Sequence, residues 1–148
     1  MKIYVSGPPI AKLEEGTSKT ALLYQTLTRK FGADHEIELP IRSAELDKLD
    51  ARDFVATISK KIGEAEGIIT VIEKGDQSTP VEATIAALKG KPQYILELRG
   101  SPRLVRGLPG VTGTTKVSTA KLVSQLENAL KHLLSASGSE PKPEKRAA

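Results

Sequence analysis

At 148 residues, with 39% hydrophobic and 27% charged residues, the chain has the length and composition of one globular domain, which excludes a disordered chain. Aromatics make up only 3% and Trp is absent, so the core is built from Ile, Leu, Val and Ala. The absence of cysteine excludes a disulfide framework and zinc–thiolate chemistry, and the net charge of +4 comes without the basic-aromatic cluster that docks nucleic acid.

Much of that charge excess sits at Lys142, Lys145 and Arg146, near the C-terminus. His35 and His132 are far apart, and the sequence calls for no metal and no cofactor. No segment approaches the roughly 18 consecutive apolar residues that span a bilayer, and no leader-like run opens the chain. A cytoplasmic protein without membrane contact is the expectation.

In chain order, Lys2–Ser6 reads as a short buried strand ended by Gly7-Pro8-Pro9. Leu23, Leu27 and Phe31 recur every four residues, which predicts an amphipathic helix over 18–31 stopped by Gly32. A second strand is expected around His35–Leu39, closed by Pro40. The charged stretch 41–50 reads as loop with one helical turn. Phe54, Ile58, Ile62 and Ala65 define one face of a helix over 51–64.

Gly67–Ile72 is an unbroken apolar run, which suits a central strand covered on both faces. After the loop 73–79 a helix is expected from Pro80 to near Gly90, then a strand over 93–98. The stretch 100–110, with two prolines, reads as loop, and 111–117 as a short fifth strand. Ser118 is placed to cap a last helix carrying Leu122, Leu126, Leu130 and Leu133. Its leucine stripe suits core packing or a dimer face. A domain over 1–134 and a disordered tail over 135–148 follow, the tail being too polar to bury itself.

Strands alternating with helices predict an α/β fold with a doubly wound parallel sheet, flavodoxin-like or Rossmann-like, of about five strands in the order 2-1-3-4-5. Such sheets bind ligands at the carboxyl ends of their strands, where the order reverses. That places a site at the loops 7–16 and 73–79. Gly16-Thr17-Ser18-Lys19-Thr20 does not meet the spacing of a nucleotide-phosphate loop.

Asp76-Gln77-Ser78-Thr79-Pro80-Val81-Glu82 joins the central strand to a helix N-terminus, where free amides suit a phosphate or a sugar hydroxyl. Thr79-Pro80-Val81-Glu82 also has the form of a capping box with proline at N1, which accounts for Glu82 without any function. Asp76, after Gly75, suits a turn as well as a ligand. Local pattern leaves both readings open, and with them a purely structural domain.

Tyr4-Val5-Ser6-Gly7 after Met-Lys-Ile, then Ala65-Glu66 before the strand 67–72, Asp76 six positions before Glu82, Ala86-Ala87 and Gly90-Lys91-Pro92 before Tyr94-Ile95-Leu96 form one run. Over residues 2–98 this run resembles the nucleoside 2-deoxyribosyltransferase family, including its 2′-deoxynucleoside 5′-monophosphate N-glycosidases. The resemblance implies cleavage of an N-glycosidic bond or deoxyribosyl transfer, on a small-molecule nucleoside or nucleotide, in a homodimer or larger oligomer. It makes Glu82 the nucleophile and Asp76 the acid on the departing base. Tyr4 would orient Glu82, and Gly7, with Ser6 and Pro8 beside it, would let the backbone approach the ligand. Ser78 and Thr79 would meet the sugar or a 5′-phosphate. The position where the family carries a further helix aspartate is Ile58 here. A catalytically inactive nucleotide-binding or regulatory module on the same scaffold is the alternative.

Overall fold

The computed structural model describes residues 1–13, 18–100 and 103–137. Five strands form one parallel sheet in the order β2-β1-β3-β4-β5. They are β1 (Lys2–Ser6), β2 (Glu36–Glu38), β3 (Gly67–Ile72), β4 (Gln93–Glu97) and β5 (Val111–Lys116). The helices are α1 (Lys19–Phe31), α2 (Ala44–Asp47), α3 (Ala51–Glu64), α4 (Ser78–Leu88), α5 (Arg103–Arg106) and α6 (Leu122–Ser137). The expected strand order is the observed one.

The two-residue period of the strands sorts the core into two layers. Ile3, Val5, Ile69, Val71, Tyr94 and Leu96 point to one face, where α1 and α6 cover them with Leu23, Leu27, Leu126 and Leu130. The alternate residues point to the other face. There Tyr4 and Ile68 pack with Ile62 and Ala65 of the α3 end and Ala86 of α4, while Ile72 and Ile95 pack with Ala83 and Val105. β1, β3 and β4 are buried almost throughout, whereas the edge strands β2 and β5 are partly exposed.

Two buried polar side chains of the second layer, Thr70 and Gln93, bond in a chain. Thr70 Oγ1 donates to Gln93 Oε1 at 2.8 Å, and Gln93 Nε2 donates to the carbonyl of Ala83 at 2.8 Å. This ties β3, β4 and α4 together at little net cost, because both the oxygen and the nitrogen of the amide have a partner.

Several expectations need correction. Phe54 does not join the core: it is 40% exposed. The loop expected over 100–110 contains α5, whose Val105 is buried against Ile72 and Ile95. Ser118 caps no helix with its side chain; a 3-10 turn at Thr119–Lys121 precedes α6. There the Ser118 N–H donates to Gln125 Oε1 at 3.0 Å, so a side chain from within α6 satisfies the entry. α6 runs to Ser137, taking in the first three residues of the expected tail, and Ala129, Leu130 and Leu133 anchor its packed face. The remainder of that tail, 138–148, lies outside the described residues, as do 14–17 of the first expected site loop. Among the described residues, no helix is long and apolar enough to cross a membrane.

Candidate active site

A cavity of about 240 Å³ opens at the carboxyl end of β1. Because β1 lies between β2 and β3, the cavity reaches from the start of α4 on one side to the segment after β2 on the other. Tyr4, Gly7, Ser78 and Glu82 line the first end. Arg42, Leu46 and Asp47 line the second, and Phe54 and Ile58 of α3 add apolar lining.

Glu82 is not a cap. Its Oε1 accepts a hydrogen bond from the Tyr4 hydroxyl at 2.7 Å, linking α4 back to β1. Strand alternation explains the meeting: Tyr4 is one residue out of phase with Ile3 and Val5, so it faces α4 while they face α1 and α6. No cation pairs with Glu82 among the described residues. Burial raises its carboxyl above the usual glutamate range, and the Asp76 charge adds to that; hydroxyls of Tyr4 and Ser6 oppose it. Tyr4 is itself pushed upward, first by burial and then by the Glu82 charge, so it stays a donor.

Asp76 takes the capping work that the sequence pattern assigns to Thr79 and Glu82. Its Oδ1 accepts from the Ser78 backbone N–H at 3.0 Å and from Ser78 Oγ at 3.0 Å, and Oδ2 accepts from Thr79 Oγ1. The preceding Gly75 has φ +89°, a turn conformation open to glycine and strained for other residues. α4 therefore begins at Ser78, two residues before the expected Pro80. With its first amides answered by Asp76, Glu82 is free to face the cavity. An Asx-type cap needs only one acidic residue two or three positions before the helix amides, a signal that Asp76-Gln77-Ser78 did carry.

Ser6, Pro8 and Thr79 belong to the site without lining its cavity. Ser6 is fully buried, and its hydroxyl has no hydrogen-bond partner among the described residues while favouring the charged form of Glu82. The Pro8 carbonyl accepts from the Tyr24 hydroxyl at 2.8 Å, which pins the turn after β1 to α1. Thr79 is buried with its hydroxyl turned to Asp76. Gly7 is required by crowding: a Cβ there would lie 2.5 Å from the Tyr24 hydroxyl and 2.9 Å from Val71 Cβ.

Sequence reasoning missed the second end of the cavity. Arg42 and Asp47 stand in a charged stretch without periodicity, and only the tertiary fold brings it over β1. Phe54 and Ile58 carried a signal, since they lie two turns and one turn before Ile62 on the apolar face of α3. Ile58 lines the cavity on the helix where the family resemblance expects a carboxylate.

No protein-family model matches the chain, and no curated protein does. Among solved structures, a CMP N-glycosidase from Clostridium botulinum superposes with a TM-score of 0.62 at 11% identity, covering 86% of this chain and 99% of that one. A conserved protein from Enterococcus faecalis V583 gives 0.62 at 16% identity, with 86% and 97% covered. A 2-deoxyribosyltransferase from Bacillus psychrosaccharolyticus gives 0.57 at 17% identity, with 82% and 96% covered. The chain has the nucleoside 2-deoxyribosyltransferase-like fold. Within this fold, the Tyr4–Glu82 pair and the capped start of α4 stand at the carboxyl end of the central strands, where an open parallel sheet binds its ligand.

Proposed function

We propose that the protein cleaves or transfers at the N-glycosidic bond of a nucleoside, with Glu82 as the nucleophile. The observation that carries this reading is a half-buried carboxylate on a cavity wall, held at 2.7 Å by a tyrosine hydroxyl and paired with no cation among the described residues. A carboxylate so placed suits an oxocarbenium-like transition state, because its charge sits where positive charge develops. A Glu82 oxygen bonds to the anomeric carbon as the bond from that carbon to the base nitrogen breaks. The base departs with the bonding pair and takes a proton from solvent water in the open cavity. Water or a second base then attacks the same carbon, loses its proton to solvent, and releases Glu82 as a carboxylate.

Asp76 favours the nucleoside over its 5′-monophosphate. Of the structural neighbours, one is a glycosidase of CMP and another a 2-deoxyribosyltransferase. The start of α4 is the natural anion site of this cavity, yet an internal carboxylate already occupies its amides. A phosphate brought there meets like charge. Asp76 thereby serves as the cap and as a charge beside Glu82, and the role of acid on the base passes from it.

Incubation with 2′-deoxynucleosides and their 5′-monophosphates, with free base measured, tests the proposal. Wild type should release base from nucleosides and Glu82→Gln should not; equal traces from both would end it. Ile58, an apolar residue on the cavity wall, favours the second reading of a silent nucleoside-binding module. Saturable nucleoside binding without turnover would decide for that one.

A further inference from the structure

Six ionisable side chains line the cavity, and four are accounted for. Tyr4 and Glu82 hold each other. Glu38 and Lys61 form an ion pair at 3.1 Å across β2 and α3. Arg42 and Asp47 remain, each without a side-chain hydrogen bond or ion pair among the described residues. Both line the cavity from the segment after β2, and Phe54 and Ile58 of α3 line it as well.

The backbone that carries them is anchored. The Arg42 N–H donates to the Ile10 carbonyl at 2.9 Å and Ile10 N–H to the Pro40 carbonyl at 3.0 Å, a parallel bridge that joins the segments after β1 and β2. Ser43 Oγ accepts from the Leu46 N–H at 3.1 Å, and the Asp47 N–H donates to the Ser43 carbonyl at 3.0 Å. A guanidinium and a carboxylate five residues apart are thus held on one short, braced stretch over an apolar wall.

Resting on the glycosidic reading above, we infer that Arg42 and Asp47 read the edge of the nucleobase and select bases bearing an exocyclic amine. An arginine only donates and a carboxylate only accepts. Cytosine and adenine present an amine donor next to a ring-nitrogen acceptor, and guanine a carbonyl acceptor next to two donors. Each edge offers the carboxylate a donor and the arginine an acceptor, and leaves no carbonyl against the carboxylate. Uracil and thymine present a donor between two carbonyls, so one carbonyl stays against the carboxylate, and that mismatch is repulsive. The ring itself lies against Phe54 and Ile58, which provide the flat apolar contact a heterocycle needs.

The test is base release from deoxycytidine, deoxyadenosine, deoxyguanosine, deoxyuridine and thymidine by wild type, Asp47→Asn and Arg42→Gln, beside equilibrium binding of the same nucleosides to Glu82→Gln. Wild type should favour at least one amine-bearing nucleoside by about 10-fold or more over deoxyuridine and thymidine. Asp47→Asn, whose amide donates as well as accepts, should shrink that ratio several-fold, and Arg42→Gln should weaken binding of every base. Glu82-dependent release that ignores both substitutions, or that is as fast on thymidine, overturns the base-reading pair and leaves the glycosidic proposal standing. Amine-selective, Asp47-dependent binding with no release from wild type supports the pair and sinks the glycosidic proposal. Absence of both binding and release overturns the two together.

Discussion

Tyr4 and Glu82 stand 78 residues apart in the chain and 2.7 Å apart in space, the phenol donating to the carboxylate. The bond ties β1 to α4 across the wall of the cavity.

Tyr4→Phe removes the donor and leaves the carboxylate half-buried without it. Loss of a hydrogen bond to a charged group costs roughly 1–3 kcal/mol, which chemical denaturation measures. Because that bond lowers the carboxyl's pKa, its loss raises it further. The acidic limb of the pH–rate profile should move to higher pH, with turnover near neutrality down about 10- to 100-fold. An unmoved limb would disconnect Tyr4 from the nucleophile.

Glu82→Gln should stabilise the fold at neutral pH. Burial raises the folded-state pKa of Glu82, so the native protein holds that proton more tightly than the unfolded chain does. Ionisation therefore costs stability as pH climbs through the interval between the two values. The variant, which keeps an acceptor for Tyr4, should melt above wild type at pH 7–8, and the gap should close near about pH 4. Parallel melting curves across that range would contradict the burial argument.

Gly7→Ala places a methyl group against the Tyr24 hydroxyl and Val71. Overpacking of this kind costs about 1–3 kcal/mol, and the displaced turn should also depress activity. Combining it with Tyr24→Phe removes the closer of the two clashes, at the cost of the bond to Pro8. A double-mutant cycle should give a coupling of about 0.5 kcal/mol or more; strict additivity would show that the turn yields elsewhere.

Asp76→Ala uncaps α4 and should cost about 0.5–2 kcal/mol, whereas Asp76→Asn keeps most of the cap. Both remove a charge that raises Glu82, so the acidic limb of activity should shift to lower pH, opposite to Tyr4→Phe. Asp76→Asn should also relax the discrimination against nucleoside 5′-monophosphates, read as the ratio of kcat/KM values. A ratio that stays constant would remove Asp76 from substrate choice.

By itself the sequence determined the scaffold. Alternating apolar strands and four-residue helical periods are local patterns imposed by burial, and Lys2–Ser6, Gly67–Ile72 and 51–64 carry them so plainly that the strand order followed from short right-handed connections. The family resemblance also pointed to Tyr4, Asp76 and Glu82 and implied roles for them, while local pattern left those roles open. Thr79-Pro80-Val81-Glu82 fits a cap when read along the chain, because propensity cannot see that Asp76 answers the helix amides first or that strand parity turns Tyr4 toward α4. Arg42 and Asp47 were invisible for the same reason: their stretch has no period, and only the crossover that sets β2 beside β1 brings it over the cavity. Local pattern decides where the backbone goes; which side chains converge is fixed by contacts remote in sequence, and those exist only once the sheet has closed.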